Sequence, residues 1–328
     1  MDKALNVAVV GAGYWGTKLV KEYLEASKER DEISLMAVYD VDSEKLRALA
    51  SNIGIEENML TTSYEDILKR DDINAVHIAT PNETHYDLAI RAIKAGKHIV
   101  LEKPMALSSR KAFRLAREAE KNNIILLVDH IFRFNNALNV AKTLLESGKF
   151  GDLHYMTLKW TAYIEPPKNR DIIFDLAPHP IDIINYLTEE WPAKVCGNGK
   201  SYIRGKEGLE EMAFIIAELP DDILVNIELS WIDYGKKARI VNIITEKGTL
   251  VIDTLAQTIT IYSDSKREQI PVTPNNTIRD MIYHFADRVI NNEPPLNSAT
   301  VGAMTVFILE KIRESIEKGQ AIEIFRGD

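Results

Sequence analysis

Two side chains that could exchange a proton with a bound molecule stand near the middle of the chain. Asp175 and His179 have the i, i+4 spacing and Asp182 follows three residues later, so a single helix would place all three on one face. The reference pKa of histidine is about 6.5, which suits His179 to accept a proton near neutral pH. Read alone, such a pair is more often a surface contact or a helix cap. The sequence adds no further ligand cluster, so we expect no metal, and we expect Asp182 to lie on the helix surface.

Two prolines, Pro178 and Pro180, stand inside this segment and restrict where its helix begins. Proline lacks a backbone N–H and is tolerated in the first turn of a helix but not in its interior. The predicted helix therefore begins either at Asp175 or only at His179.

A glycine-rich turn near the start of the chain has the spacing of a dinucleotide-binding site. Gly11, Gly13 and Gly16 form a G-x-G-x-x-G sequence after an apolar strand at about residues 7–10 and before a helix at about residues 17–29. The first glycine permits the tight turn, the second lets the backbone approach a pyrophosphate, and the third lets the helix sit close to the strand. The N-terminus of the helix would then face the phosphates. This order of elements predicts a bound dinucleotide.

An acidic residue at the end of the next strand indicates which dinucleotide is bound. Asp40 closes an apolar strand at about residues 35–39, where a carboxylate would accept hydrogen bonds from the adenosine ribose hydroxyls. The same charge would repel the 2′-phosphate of NADP, so NAD is the expected cofactor and NADP is less favoured. Tyr14 and Trp15, inside the glycine turn, complete this part of the predicted cofactor site.

Strands and helices continue to alternate after Asp40, which predicts a doubly wound parallel sheet. Ligands bind such sheets at the carboxyl ends of the strands. Two loops at these ends carry polar residues, and a histidine begins the helix after the first loop. We expect a contribution to the cofactor site from Thr80, Pro81, Asn82, His85, Glu102 and Lys103. His77 and His98, which lie inside strands, are expected to pack in the core.

Three segments of the first half resemble a known family. VVGAGYWG, ATPNETH and AGKHIVLEKPMALS, in this order, are similar to the glucose-fructose oxidoreductase / inositol dehydrogenase / MocA family of NAD(P)-dependent sugar oxidoreductases. The resemblance is close over the N-terminal half and becomes vague after about residue 192. It implies a Rossmann domain followed by an α/β domain with a large open, mostly antiparallel sheet.

The resemblance also implies roles for three residues. The D-x-x-x-H sequence of Asp175 and His179 matches the position of the family's second catalytic pair, and Lys103 of the E-K-P sequence supplies the third group. Oxidation of a secondary alcohol needs a base for the hydroxyl proton, and His179 suits this task. Lys103 would hold the hydroxyl oxygen and stabilise developing negative charge, or would itself be the base if burial lowers its pKa. Asp175 would orient the histidine or bind a neighbouring sugar hydroxyl.

Two arginines are expected to contact the substrate. His130, Arg133 and Asn135 resemble the family's H-x-x-R-[FY]-N segment, which enters the second domain along the active-site cleft, although Asn136 and Ala137 stand where proline is common. The segment from Arg170 to His179, with GYWG, resembles the subgroup that oxidises C3 of UDP-N-acetylhexosamines or their uronic acids. Arg170 could pair with a carboxylate or phosphate. An exposed, solubilising arginine is the alternative.

The second half of the chain changes in pattern from Leu153 onwards. Polar and apolar residues alternate over several segments separated by turns, which predicts a largely antiparallel sheet. We expect a Rossmann domain at 1–129 and a substrate-binding and oligomerisation domain at 130–328, whose C-terminal helix packs back towards the first domain. The resemblance implies a homodimer or homotetramer formed through the outer face of this sheet.

Composition restricts the partners and the compartment. The chain has 328 residues and a net charge of -9, which argues against nucleic-acid binding. Its single cysteine, Cys196, cannot form an intrachain disulfide, and this suits the cytoplasm. No segment approaches the ~20 apolar residues of a membrane span, and neither a signal peptide nor a membrane partner is expected.

These observations predict a cytoplasmic, NAD-dependent sugar dehydrogenase. The favoured substrate is a UDP-N-acetylhexosamine or its uronic acid, with C3 as the reacting carbon. An inositol or aldose dehydrogenase is the main enzymatic alternative. A non-catalytic NAD-binding sensor is the alternative from another class, although a sensor would need the cofactor site and no proton-transfer group.

Overall fold

The structure of the protein, a computed structural model, describes residues 4–205 and 208–324. The described residues form two compact units. Unit 1 comprises Met1–Ile131 with Asn276–Met304, and unit 2 comprises Phe132–Asn275 with Thr305–Asp328. The chain therefore leaves unit 1 near residue 131 and returns to it for one later segment.

Strands and helices alternate in the first part of the chain, and strands dominate the middle. The strands, in chain order, are β1 (Leu5–Val10), β2 (Ile33–Tyr39), β3 (Leu60–Thr61), β4 (Ala75–Ile78), β5 (His98–Leu101), β6 (Leu126–Val128), β7 (Leu153–Thr161), β8 (Lys194–Lys200), β9 (Met212–Glu218), β10 (Leu224–Ser230), β11 (Ala238–Thr245), β12 (Gly248–Asp253), β13 (Thr258–Ser263), β14 (Lys266–Ile270) and β15 (Ile322–Glu323). The α-helices are α1 (Tyr14–Glu29), α2 (Ser43–Ile53), α3 (Tyr64–Lys69), α4 (His85–Lys94), α5 (Ser109–Lys121), α6 (Asn136–Glu146), α7 (Ile172–Leu176), α8 (Pro178–Thr188), α9 (Thr277–Asn291) and α10 (Ala299–Lys318).

The sheet of unit 1 is parallel throughout its six described strands, in the order β3-β2-β1-β4-β5-β6. This is the order of a dinucleotide-binding Rossmann fold, in which ligands bind at the carboxyl ends of the strands. The predicted fold class is therefore confirmed for the first half of the chain.

Residues next to the helix ends explain where α1 and α2 begin and where α2 stops. α2 begins after Asp42, whose carboxylate accepts from the backbone N–H groups of Glu44 and Lys45, and it ends at Gly54 in the left-handed conformation. Both ends are thus set by residues next to them in the sequence. α1 begins at Tyr14, earlier than predicted, because the backbone of Gly13 already serves as its N-cap.

The returning segment of unit 1 is joined to α1 by ion pairs. Arg279 of α9 contacts Glu22 at 2.8 Å and Glu29 at 2.7 Å. Asn297, which precedes α10, is fully buried and donates to the carbonyl of Val128 at the end of β6. These contacts make residues near the end of the chain part of the Rossmann unit.

The sheet of unit 2 has nine described strands in the order β14-β13-β12-β11-β7-β10-β9-β8-β15. Only the β7–β10 pair is parallel among them, so the sheet is mostly antiparallel, as predicted. One face is buried, because alternate residues of β9 such as Ala213 and Ile215 have no exposed surface. The opposite face carries exposed apolar side chains, including Phe214 at 49% and Ile216 at 43%.

Among the described helices, none combines the length and the apolar character needed to cross a lipid bilayer.

Candidate active site

The glycine turn of unit 1 has two glycines that close packing requires and one that faces open space. Gly11 has φ +109°, and a Cβ there would lie 2.6 Å from the carbonyl oxygen of Ala79. A Cβ on Gly16 would lie 1.7 Å from the carbonyl oxygen of Gly11. A Cβ on Gly13 would meet no described atom within 4 Å. The turn is therefore tight on the inside and open over Gly13, where a ligand's phosphates can approach the backbone.

The N-terminus of α1 lies directly behind this open space. Among the described side chains none caps the helix, so its first turn can bind an anion. Tyr14 and Trp15 are exposed, pack edge to face with ring centroids 5.9 Å apart, and share the ammonium of Lys18. The predicted cofactor residues of the turn are thus brought together around one helix end.

Asp40 joins the end of β2 to the glycine turn. One carboxylate oxygen accepts from the Ala12 N–H at 2.8 Å and the other accepts from the Asp42 N–H at 3.0 Å. A carboxylate can accept further hydrogen bonds on the same oxygens. The residue is therefore fixed beside the glycine turn and keeps capacity for ribose hydroxyls.

His85 connects the two carboxyl-end loops of unit 1. It begins α4, as predicted, and its buried ring has Nε2 2.9 Å from the carbonyl oxygen of Thr80 and Nδ1 2.9 Å from that of Pro104. Burial lowers the pKa of His85 and outweighs the opposing effect of the two carbonyls. A neutral ring has one N–H and a carbonyl oxygen only accepts, so the ring donates to one of the two carbonyls and lies against the other. His85 is thus placed between the Thr80-Pro81-Asn82 loop and the loop that carries Lys103.

Glu102 and Lys103 directly follow β5, and Asp129 directly follows β6. Because β5 and β6 pair in parallel with Leu101 opposite Val128, the Glu102 and Asp129 side chains meet at one edge of the sheet. His77 of β4 is fully buried, as predicted, and joins them, since one ligand atom from each of the three residues lies within 4.8 Å of the others. The structure thus places Glu102 in a buried polar cluster beside Lys103.

The helix that carries Asp175 and His179 is divided in two. Asp175 lies in α7, which Asp171 caps by accepting from two backbone N–H groups, and His179 lies in α8, which begins at Pro178. Of the two predicted helix starts, Asp175 is wrong, whereas the start at His179 lies one residue from the observed start at Pro178. Proline cannot donate the hydrogen bond that a continuous helix needs, so the helical run is interrupted at Ala177 and restarts with proline in its first turn.

Asp175 is close to two guanidinium groups of unit 2. Arg170 Nη1 lies 3.6 Å from its carboxylate, and the Arg170 side chain is 45% exposed. The charge of Asp175 also acts on Arg239 of β11, whose pKa burial lowers to about 10. Arg239 Nη1 donates to the carbonyls of Thr161 and Ala238, and its guanidinium lies 5.7 Å from the Trp160 ring centroid.

His179 is held against aromatic rings. Its ring meets Phe132 edge to face at 5.1 Å, and Phe132 in turn meets the buried Trp160 at 5.3 Å. Phe132, itself held by Trp160, restricts the imidazole's orientation, which general-base catalysis requires.

Arg133 and Asp182 lie in surroundings that differ from those predicted. Arg133 Nε donates to Asp182 Oδ1 at 2.8 Å, and its Nη2 donates to Asn185. The side chains of Arg133 and Asp182 are only 6% and 1% exposed. The expectation that Asp182 lies on the helix surface is wrong, because the buried guanidinium requires a buried counter-charge. This geometry favours a structural role for Arg133 over the predicted role in substrate binding.

Sequence reasoning missed two residues with functional surroundings. Arg239 lies within an ordinary alternating strand, and no local motif distinguishes it. Asp129 did carry a signal, because it is a charged residue directly after a continuous apolar strand. Such residues stand where parallel sheets bind ligands.

Two family models match most of the chain. One is described as "Oxidoreductase family, NAD-binding Rossmann fold" and matches residues 5–130. The other is described as "GFO/IDH/MocA C-terminal domain" and matches residues 138–251. The first description agrees with the open glycine turn and with the position of Asp40.

Similar proteins extend over nearly the whole chain. Myo-inositol 2-dehydrogenase from Thermotoga maritima is 24% identical over 98% of both proteins. UDP-N-acetylglucosamine 3-dehydrogenase from Acidithiobacillus ferrooxidans is 23% identical over 95% of the chain and 97% of its own length. Among solved structures, an inositol dehydrogenase homologue from Azotobacter vinelandii, complexed with NADH and myo-inositol, has a TM-score of 0.88 at 18% identity over 98% of each chain. At these identities the structural similarity shows the fold alone.

Proposed function

The chain belongs to the glucose-fructose oxidoreductase, inositol dehydrogenase and MocA family of NAD-binding sugar oxidoreductases, and within it we propose a nucleotide-activated amino sugar as the substrate. The family, the Rossmann fold and the NAD cofactor agree with the predictions from sequence. The finer proposal is that a UDP-N-acetylhexosamine, or its uronic acid, reacts at the secondary hydroxyl of C3.

The observation that carries this proposal is the pair of arginines around Asp175. Arg170 is half exposed and Arg239 is partly buried, and both guanidinium groups act on the same carboxylate. Guanidinium groups bind carboxylates and phosphates through paired, charge-assisted hydrogen bonds. A neutral polyol such as inositol needs no such cations, whereas a nucleotide sugar carries phosphates and its uronic acid adds a carboxylate.

The glycine turn supports NAD as the bound dinucleotide. The open space over Gly13 admits the pyrophosphate to the backbone, and the start of α1 favours its negative charge. Asp40 would bind the adenosine ribose, and Thr80, Pro81 and Asn82 would border the same ligand. When bound, NAD supplies the two-electron acceptor for the carbon that is oxidised.

The proton-transfer residues are proposed to be Lys103 and His179. Lys103 holds the reacting hydroxyl oxygen and stabilises the charge that develops on it. His179, oriented by Phe132, accepts the hydroxyl proton. Asp175, paired with Arg170, positions the sugar or orients the histidine. If Lys103 is the base instead, replacing Lys103 rather than His179 should remove the pH dependence of turnover.

The exposed face of the unit 2 sheet supports self-association. Phe214 and Ile216 of β9, Leu224 of β10 and Tyr155 of β7 are large apolar side chains that remain exposed in the monomer. Exposed apolar groups of this kind mark interaction surfaces. We propose a homodimer or homotetramer formed through this face, in the cytoplasm, where the exposed thiol of Cys196 would stay reduced.

The proposal is tested by following NADH absorbance with NAD and a panel of sugars. We expect turnover with UDP-N-acetylhexosamines or their uronic acids, and little with myo-inositol or free aldoses. Turnover of inositol or an aldose alone would identify the polyol alternative. Tight NAD binding without turnover of any sugar would identify the sensor alternative.

A further inference from the structure

Four buried titratable side chains form a cluster near Lys103, and NAD binding does not explain why they are there. It consists of Tyr23 of α1, His77 of β4, Glu102 after β5 and Asp129 after β6, and all four side chains are buried. Tyr23 Oη lies 3.1 Å from His77 Nδ1, and His77 Nε2 lies 4.0 Å from Asp129 Oδ2. One carboxylate oxygen of Glu102 and one of Asp129 lie within 4.8 Å of each other.

Two buried carboxyl groups this close do not both ionise unless positive charge offsets them, because like charges repel strongly away from water. Neighbouring groups do not supply enough positive charge to keep both ionised. Burial lowers the pKa of His77 to about 3, so the imidazole is neutral, and burial raises the pKa of Tyr23, so the phenol is neutral too. Among the described groups that act on Asp129, Lys103 is the cation.

The deeper carboxyl group is the one that keeps the proton. Burial raises the pKa of Asp129 well above its usual range, and the charge and hydrogen bond of Glu102 raise it further, against an opposing effect of Lys103. Asp129 Oδ1 and His77 Nε2 have no hydrogen-bond partner among the described residues. Ionising Asp129 would therefore place a second negative charge where few hydrogen-bond donors and one cation, Lys103, offset it.

We propose that Asp129 and Glu102 share one proton, with Asp129 as the donor, and thereby position Lys103. Glu102 is the chain neighbour of Lys103, so a fixed Glu102 fixes the start of the loop that presents the ammonium. The shared proton also keeps one negative charge, not two, beside that ammonium. Asp129 is a positioning residue in this scheme, and its importance for turnover rests on the proposed function of Lys103.

The same three ligand atoms could instead hold a metal ion. A metal would require both carboxyl groups to be ionised and would replace their hydrogen bond. Metal analysis of the purified protein distinguishes the two arrangements, since a stoichiometric metal that is lost in Asp129→Asn would overturn the shared-proton proposal.

The test compares Asp129→Asn, which can donate to Glu102 but never ionises, with Asp129→Ala, which cannot donate. The exposed Asp31→Asn is the matched surface control. Between pH 4.5 and the folded pKa, the native protein holds a proton on Asp129 that the unfolded chain has lost. For each unit by which the pH rises in this range, the folding equilibrium constant of the wild type should therefore fall by up to tenfold relative to that of Asp129→Asn. The melting temperature of Asp129→Asn should rise relative to wild type as pH increases, and that of Asp31→Asn should not.

The link to Lys103 is read without turnover from the lysine side-chain NMR signals of labelled protein, with Lys103→Met assigning the resonance. At neutral pH, Asp129→Asn should match wild type, and Asp129→Ala should shift the Lys103 signal. Above the pH at which Asp129 ionises, the signal should move in wild type and stay in Asp129→Asn. A constant melting-temperature difference over pH, or Asn and Ala variants that shift the signal equally at neutral pH, would overturn the proposal.

Turnover provides a separate readout. If wild type oxidises a sugar, Asp129→Asn should retain activity within about threefold at neutral pH, and Asp129→Ala should lose at least tenfold. If wild type oxidises no sugar, the proposed function fails, and the melting and NMR results still decide the state of Asp129.

Discussion

Gly13 and Gly16 lie in the same turn, yet the structure predicts opposite consequences for replacing them with alanine. Gly13 has φ -74° and ψ -165°, which any L-residue can adopt, and its Cβ would enter open space. Gly13→Ala should therefore fold, at a cost within about 1 kcal/mol for the less favourable N-cap. Gly16→Ala would place a Cβ 1.7 Å from the Gly11 carbonyl oxygen, a distance at which the backbone itself must move.

The expected effect on NAD follows from the same geometry. A methyl group forced into a closely packed contact costs about 1–3 kcal/mol, which corresponds to a rise of roughly 5- to 150-fold in the NAD dissociation constant. Calorimetric titration with NAD and thermal unfolding of both variants check this. Gly13→Ala should lose affinity and keep a melting temperature within about 4 °C of wild type, whereas Gly16→Ala should lose affinity and unfold at a much lower temperature. Unchanged NAD affinity in Gly13→Ala would refute the assignment of the open space to the pyrophosphate.

Three further outcomes are expected. Asp40→Ala should weaken NAD binding by about 10- to 100-fold, since a charged hydrogen bond is worth roughly 1.5–3 kcal/mol, while NADP affinity, measured in parallel, holds or improves. Arg170→Ala and Arg239→Ala should raise the KM for a nucleotide sugar at least tenfold and leave the NAD dissociation constant unchanged; equal effects on both ligands would contradict an anion-binding role. Asp182→Ala should lower the free energy of unfolding by about 3–5 kcal/mol, because it strands the buried Arg133, and denaturant titration would show whether the loss is that large.

Features that depend on neighbouring residues in the chain were predictable from sequence. Asp42 and Gly54 set the ends of α2 through their own side chain and backbone. The glycine turn and the acid at the end of β2 identify the cofactor because the motif is local and each residue has a backbone role. Alternation of polar and apolar residues predicted the mostly antiparallel second sheet, since one face of each strand is buried.

Features that depend on tertiary packing were not predictable in the same way. The two prolines leave two possible starts for the predicted helix, and only packing decides that α8 begins at Pro178 and that the short α7 forms before it. Asp182 was predicted to lie on the surface because its buried partner, Arg133, is 49 residues away in the sequence. The charge of Asp175 acts on Arg239 from a distant part of the sequence, and no local pattern predicts this.

The central claim is that the chain transfers the hydrogen of a secondary sugar carbon, with Lys103 and His179 moving the hydroxyl proton. It is tested most directly with a UDP-N-acetylhexosamine deuterated at C3, by single-turnover measurement of deuterium transfer to NAD. Wild type should transfer the label, and Lys103→Ala and His179→Ala should each be slower by at least about 100-fold with NAD affinity unchanged. Unlabelled NADH from wild type, or near-full rates in both variants, would contradict the account.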